Sequence, residues 1–238
     1  MPDYKKRKDQ LLHEKLRYNL ELLITDYEDQ LLKTDIPIQK IIGFVEMQNL
    51  KLFVDRYVLI PRYETEELIL KSYEFIDSNS EVLDLCSGTG FIGLAIAKNK
   101  KCKVTLSDIS YEAISQIIIN KNYNKIDNIE IIQSDLFNNL GTKKFDIIVS
   151  NPPYLNKWEI LDNSVLKHEP KNALFADLDG NLFYEKIIKF APYFLKKNGV
   201  LLFEISPNNV SFLKSYKGIN VSFFKDINKK ERIALIKF

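Results

Sequence analysis

The sequence predicts an α/β fold: an open, mostly parallel sheet with helices on both faces. Three observations carry that prediction. From residue 81 onward, short apolar runs alternate with segments of helical periodicity, the pattern that βαβ units produce. The first of those runs leads into a glycine-rich turn, Gly88-Thr-Gly90-Phe-Ile-Gly93, which suits a tight passage from strand to helix. The residues with chemical character fall just after the strands, at the edge where open parallel sheets bind ligands.

The elements follow in order. Within residues 4–33, Leu12, Leu16, Leu20, Leu23 and Tyr27 recur at helical spacing and predict one or two helices. Asp35-Ile-Pro37 interrupts them, because proline disfavours helix at the residue before it. Residues 1–42 are therefore expected to form a short helical N-terminal region. The apolar runs Lys51–Asp55 and Tyr57–Ile60 predict a small hairpin or extended connector over residues 43–60. The main domain spans residues 61–238 and opens with a helix from Pro61 to Ile76, whose first turn is acidic. Strands are expected at 81–86, 103–107, 129–133, 145–150 and 200–205, with helices at 90–99 and 110–121. A long amphipathic helix is expected over 180–197, stopped by Asn198-Gly199. Two tail strands are expected, around 220–224 and 232–236.

Composition narrows the function classes. A chain of 238 residues, 45% hydrophobic and 28% charged, supports one globular domain with a small appendage. Its 34 basic and 32 acidic side chains leave a net charge of +2, which argues against a broad phosphate-binding surface and against a stable nucleic-acid partner. Cys86 and Cys102 have no metal-ligand spacing and exclude a disulfide framework. His13 and His168 sit in polar stretches without ligand spacing, so no metal is expected. The polar start is not a secretory signal, and no apolar run approaches the roughly 20 residues that span a bilayer. A cytoplasmic, monomeric protein without membrane contact is expected. Lys5-Lys-Arg-Lys8 reads as a solvated tail.

The glycine turn reads as a cofactor loop. Residues Asp84, Cys86, Ser87, Gly88, Thr89 and Gly90 lead from strand to helix, and the helix start directs unpaired N–H groups at a ligand. The glycine spacing alone does not separate a nicotinamide cofactor from S-adenosylmethionine. Asp84 shifts the balance, because a carboxylate inside an apolar strand is costly unless it has a task. Asp108, after the second strand, suits ribose hydroxyls or a helix cap. Asp135 and Leu136, after the third, suit an adenine amino group and ring, or a plain turn.

The fourth strand ends in Asn151-Pro152-Pro153-Tyr154, the most specific signal in the chain. An amide nitrogen is a poor nucleophile because its lone pair is delocalised. Acceptors against both of its N–H bonds favour a pyramidal nitrogen and stabilise its growing positive charge. The Asn151 side-chain oxygen is one acceptor and the Pro152 carbonyl the other. The two prolines stiffen the loop, and Tyr154 offers an aromatic face. The pattern predicts methyl transfer from S-adenosylmethionine, with S-adenosylhomocysteine as product, and neither a metal nor a covalent intermediate.

These residues resemble a known family. Asn-Pro-Pro-Tyr is shared by methyltransferases acting on planar nitrogens. Leu59-Ile-Pro61-Arg62-Tyr63-Glu64-Thr65-Glu66 resembles a segment of the release-factor glutamine methyltransferases, as do Glu169-Pro170, Ala173-Leu-Phe175, Asp179-Gly180 through Tyr184, and Glu231-Arg232. The resemblance covers about residues 37–238. It implies a class I, Rossmann-like methyltransferase fold whose sheet ends in an antiparallel C-terminal strand. It implies N5 methylation of the glutamine in the Gly-Gly-Gln loop of class I peptide-chain release factors. It implies that Cys86 to Gly90, Asp108, Leu136 and Asn151 line the cofactor and that Asn151 to Tyr154 hold the glutamine. Pro61, Arg62, Glu64, Thr65 and Glu66 are implied near the substrate mouth, with an ion pair between Arg62 and Glu64 or Glu66 as the alternative for Arg62. Three substitutions depart from the pattern. Tyr63 replaces a proline, so that turn is expected to be looser. Cys86 stands where glycine is common and is read as packing, and Leu136 replaces an aromatic of some members. The family's N-terminal domain, which grips the release factor, is usually longer than residues 1–42, so that contact is expected to be reduced or altered. Rival readings are the same chemistry on a ribosomal-protein glutamine, a ribosomal RNA guanine or a DNA adenine, an NAD-dependent oxidoreductase, and a non-catalytic adaptor.

Overall fold

The computed structural model describes residues 3–177 and 179–238. Helix α1 (Tyr4–Arg17) is capped by the Asp3 side chain, and α2 (Asp26–Leu32) starts in a Thr25–Glu28 capping box. They and α3 (Ile38–Ile42) share a small core of Leu11, Leu32 and Ile38. The leucine spacing predicted helix without placing its ends or its buried face. Leu16, Leu20, Leu23 and Tyr27 are exposed, and Leu20 and Leu23 lie between helices. Asn19 adopts a left-handed backbone there, so the helix stops and the chain turns back.

Strands β1 (Phe44–Met47) and β2 (Leu50–Phe53) form an antiparallel hairpin. Gln48 and Asn49 both take positive φ at its turn, the backbone that twists with the strands it joins. The run Tyr57–Ile60 follows it as an irregular connector. Helix α4 (Glu64–Ser72) begins after Pro61 and Arg62 rather than at them, and keeps the acidic first turn.

The main sheet has the order β5-β4-β3-β6-β7-β9-β8. Its parallel part comprises β3 (Glu81–Leu85), β4 (Lys103–Asp108), β5 (Ile129–Gln133), β6 (Phe145–Ser150) and β7 (Leu195–Glu204). Strand β9 (Glu231–Lys237) inserts antiparallel between β7 and β8 (Asn220–Lys225). Helices α5 (Phe91–Lys100) and α6 (Tyr111–Tyr123) pack with α4 and the hairpin on one face, where Val82, Leu94, Leu106 and Leu52 are buried. The other face buries Leu83, Leu85, Ile148 and Phe203 against Tyr184 and Ile187 of α9 (Leu182–Phe190), which follows the short helices α7 (Asn163–His168) and α8 (Lys171–Leu174).

The long helix expected over 180–197 is shorter than its pattern. It ends at Phe190, and a 3-10 turn at Ala191–Tyr193 contains Pro192, which has no N–H to continue the ladder. Asn198, at positive φ, and Gly199 lie within β7, where the pairing to β6 shifts register. The expected helix stop is therefore a bulge.

Three amide side chains seat the hairpin on the domain. Asn124, at the C-terminal cap of α6, and Asn120 within it accept from Lys51 N and Phe53 N and donate to the carbonyls of the same residues, while Gln116 accepts from Arg56 N. Spaced four apart, they stand on one helix face and replace the neighbour strand that β2 lacks. Asn120 also donates to Thr89 O at 3.0 Å, which ties the hairpin to the glycine loop. No helix among the described residues is long and apolar enough to cross a membrane.

Candidate active site

The ends of β3, β4, β5 and β6 surround a cavity of about 240 Å³. Cys86, Gly88, Asp108, Asp135, Leu136, Asn151 and Pro153 all line it. Asp84, Ser87, Thr89 and Gly90 lie behind that lining and hold it. Asp84 Oδ2 accepts from Gly93 N at 2.8 Å. A side chain at Gly93 would come within 2.9 Å of the same oxygen and 2.6 Å of Leu106 Cγ, so the glycine lets α5 start directly over the acid. Ser87 Oγ donates to the Asp84 carbonyl and accepts from Ser107 N, stapling the loop to β4.

Asp108 serves the loop and the next helix together. Its Oδ2 accepts from Gly88 N and its Oδ1 from Ser110 N, each at 2.9 Å. The Ser110 hydroxyl, not Asp108, is the side-chain cap of α6. Each carboxylate oxygen keeps lone pairs toward the cavity. Burial pushes the Asp108 carboxyl up, against three backbone N–H groups that favour its charge. Asp84 is fully buried, and burial pushes its carboxyl up to about 7.

Cys86 and Leu136 both have positive φ, a region that costs residues with a Cβ roughly 1–2 kcal/mol. That is a physical reason for glycine to be common at position 86. Burial and the Asp108 charge push the Cys86 thiol far up, so it stays protonated and packs rather than reacts.

From the β6 side Asn151 and Pro153 close the cavity, while Pro152 and Tyr154 of the same turn do not line it. Pro152 and Pro153 are buried, and Asn151 and Tyr154 half-buried. The chain continues into a bridge in which Leu155 N donates to Leu174 O and Ala176 N to Leu155 O. Gly180, at φ 73°, runs so close that a Cβ there would sit 2.4 Å from the Tyr154 carbonyl oxygen.

The segment 61–66, which leads into the first turn of α4, divides in two. Thr65 is buried, and Asn151 Nδ2 donates to its Oγ1 at 3.4 Å. Arg62 pairs with the buried Glu169 at 2.6 Å rather than with Glu64 or Glu66, and Glu169 Oε2 also accepts from Ile60 N at 3.0 Å. The pair latches the connector onto the chain beyond the catalytic turn. Glu66 accepts from Gln48, and Glu64 is exposed. Tyr63 is held from outside, its hydroxyl accepting from Arg17 of α1.

Sequence reading missed part of the wall and one buried acid. Val58, Ile109, Asn172 and Lys186 also line the cavity and come from connectors and helices without a motif, while Phe183 lines it from the segment that ends at Tyr184. Glu204, at the end of β7, accepts from Thr65 Oγ1 at 2.7 Å. It stands in the apolar run Val200–Ile205, so the argument that singled out Asp84 applies equally to it. Among the described residues no group of three His, Cys, Asp or Glu side chains could hold a metal ion.

Comparison with known proteins agrees with this fold. Residues 66–169 match the Methyltransferase small domain family. The fold is similar to that of a methyltransferase from Pyrococcus furiosus, with a TM-score of 0.56 at 18% identity over 79% of this chain and 87% of that one. The sequence is 38% identical to a release factor glutamine methyltransferase of Lactococcus lactis, across 95% of this chain and 86% of that protein. It is also 38% identical to one of Flavobacterium psychrophilum, across 98% and 87%. Identity at this level, along nearly the whole of both chains, shows that the protein belongs to the release factor glutamine methyltransferase family.

Proposed function

We propose that the protein methylates the side-chain amide nitrogen (N5) of the glutamine in the Gly-Gly-Gln motif of class I peptide-chain release factors, using S-adenosylmethionine. The reaction replaces one amide hydrogen by methyl and leaves S-adenosylhomocysteine and a proton. One observation carries the reading: Asp108 at the end of β4, Asp135 after β5 and Asn151 after β6 line a single cavity together with Cys86 and Gly88 of the glycine loop.

The residues present fit the cofactor. Asp108 retains acceptor capacity for ribose hydroxyls, Ile109 and Leu136 supply apolar faces for a base, and Asp135 stands beside Leu136. Asp84 Oδ1 is buried behind the cavity wall without a hydrogen-bond partner among the described residues, and its carboxyl shapes the loop that would hold the amino-acid end of the cofactor. S-adenosylmethionine supplies an electrophilic methyl group when bound. The chain does the rest by position. Asn151 Oδ1 and the Pro152 carbonyl accept the two amide N–H bonds of the glutamine. They thereby stabilise positive charge as it grows on nitrogen. The buried prolines hold both acceptors ready, and the Tyr154 ring flanks the planar amide.

Residues 1–42 are assigned to the release-factor side. Their helices form a core of their own, and α1 and α3 border a groove that also reaches Arg62 and Glu169. The decisive experiment is transfer of labelled methyl to a purified class I release factor and to its Gln→Ala loop variant, with the modified residue mapped by mass. Label on the Gly-Gly-Gln glutamine, absent from the variant, is expected. Cofactor binding without transfer to the factor would move the target elsewhere.

A further inference from the structure

The Asn151 amide serves as an acceptor only one way round. Its oxygen must face the substrate, because its NH2 would meet the N–H groups it is meant to bind. Asn151 Nδ2 lies 3.4 Å from Thr65 Oγ1, which donates to Glu204 Oε2 at 2.7 Å. Thr65 is 4% exposed and Glu204 1%, so neither is placed to meet a substrate. We infer that Thr65 and Glu204 are positioning residues that hold the Asn151 amide with its oxygen toward the cavity, a role that rests on the function proposed above.

Donor counting carries the inference. A carboxylate only accepts, and a threonine hydroxyl has one hydrogen to give. Once that hydrogen goes to Glu204, Thr65 offers Asn151 nothing but lone pairs. Those lone pairs accept from the NH2 and repel the oxygen. The preference for one orientation is thus passed from Glu204 through Thr65 to Asn151. Asn151 Oδ1 has no hydrogen-bond partner among the described residues.

The arrangement depends on the charge of Glu204. A protonated Glu204 can donate to Thr65, which frees the threonine hydrogen and lets either face of the amide pack against it. Every packed element presents a group to this carboxyl. Helix α4 presents Thr65 and Glu64, the catalytic turn Tyr154, and β9 Arg232, while Tyr184 of α9 donates to the Glu204 backbone carbonyl at 2.9 Å. Burial and Glu64 push the carboxyl up; Thr65, Arg232 and Tyr154 pull it down, and it settles at about 7. Catalytic turnover is therefore expected to rise with pH as Glu204 ionises.

The test is single-turnover methyl transfer to a class I release factor at saturating cofactor, with cofactor affinity measured by calorimetry. Thr65→Val removes the hydroxyl at nearly constant shape and should slow transfer about 10- to 100-fold while leaving cofactor affinity unchanged. Thr65→Ser keeps the hydroxyl and should stay within about 3-fold of the parent. In an Asn151→Ala background, Thr65→Val should cost nothing more, since it acts only through that amide. Glu204→Gln should lose the rise in rate through about pH 7; if that variant does not fold by thermal melting, the Thr65 series decides. Equal losses in Val and Ser, parent-like transfer by Thr65→Val, or multiplying losses in the double variant overturn the inference. Failure of the unaltered protein to methylate the factor overturns the functional reading itself.

Discussion

The glycine loop and the Asn-Pro-Pro-Tyr loop meet at one cavity, and each has a buried carboxylate behind it. Asp84 reaches its loop directly, through the N–H of Gly93 nine residues on. Glu204 reaches its loop through Thr65, 139 residues away in sequence, which in turn contacts Asn151 across 86 residues. Most contacts that shape the glycine loop come from its own strand and from the next one, through Ser87, Ser107 and Asp108, with one more from Asn120 of α6 to Thr89 O. Those that shape the catalytic loop come from α4, from the chain around Leu174 and Gly180, and from β7. The first loop is a local device of one βαβ unit. The second is assembled only when the whole domain has folded.

The largest expected effect removes the acceptor at the centre of the second loop. Asn151→Ala should leave cofactor affinity nearly unchanged and lower turnover on the order of 10²–10³-fold, as loss of one transition-state hydrogen-bonding group does. Turnover close to that of the parent would remove Asn151 from the mechanism. Next comes a substitution outside any motif that acts on the same loop. Gly180→Ala forces a methyl group onto the Tyr154 carbonyl and adds a Cβ at positive φ. It should destabilise the protein by about 3 kcal/mol in denaturant titration and slow turnover, because the obstacle is backbone and not a side chain that can swing aside. Unchanged stability would show that the catalytic loop yields more easily than its packing implies.

The contrast also explains what could be read in the sequence. The parallel sheet was legible because β3, β4 and β6 are short apolar runs separated by helical patterns. The acid-and-glycine loop was legible because its acids and glycines lie within one unit. Asn151 to Tyr154 stood out through their chemistry, yet nothing local shows that Thr65 and Glu204 stand behind them. Arg62 illustrates the limit: its neighbours in sequence are Glu64 and Glu66, and its partner is Glu169, 107 residues on. Periodicity failed in two ways. The leucines of the N-terminal region recur at helical spacing on surface that stays exposed, and the pattern over 180–197 runs past Pro192, because apolar spacing reports burial and not continuity of the backbone ladder.

A third prediction probes the first loop from its ligand side. Asp108→Ala removes an acceptor that also holds Gly88 N and Ser110 N. Cofactor affinity should weaken by roughly 1–3 kcal/mol by calorimetry, with turnover at saturation changed far less than in Asn151→Ala. An affinity equal to the parent's would confine Asp108 to shaping the loop and the start of α6.

The smallest effect separates the two buried acids by their titration. Asp84 titrates near 7 in the folded protein because burial disfavours its charge, against roughly 3.9 in an unfolded chain. Below the lower value both states are protonated and the group costs nothing. As pH rises between the two values, only the unfolded chain gives up its proton, so unfolding becomes easier. Stability that is full at acid pH is thus lost progressively up to about 7 and is flat above it. Glu204 acts in the same direction, burial raising it to about 7. Asp84→Asn keeps a carbonyl oxygen for Gly93 N and removes one of the two titrations. Its denaturation midpoint should therefore fall less steeply than the parent's from about pH 4.5 to 7. A slope equal to the parent's would mean that Asp84 ionises in the fold as readily as in water. The loop would then be held by a charge the fold tolerates, and the likeness between the two acids would end at their burial.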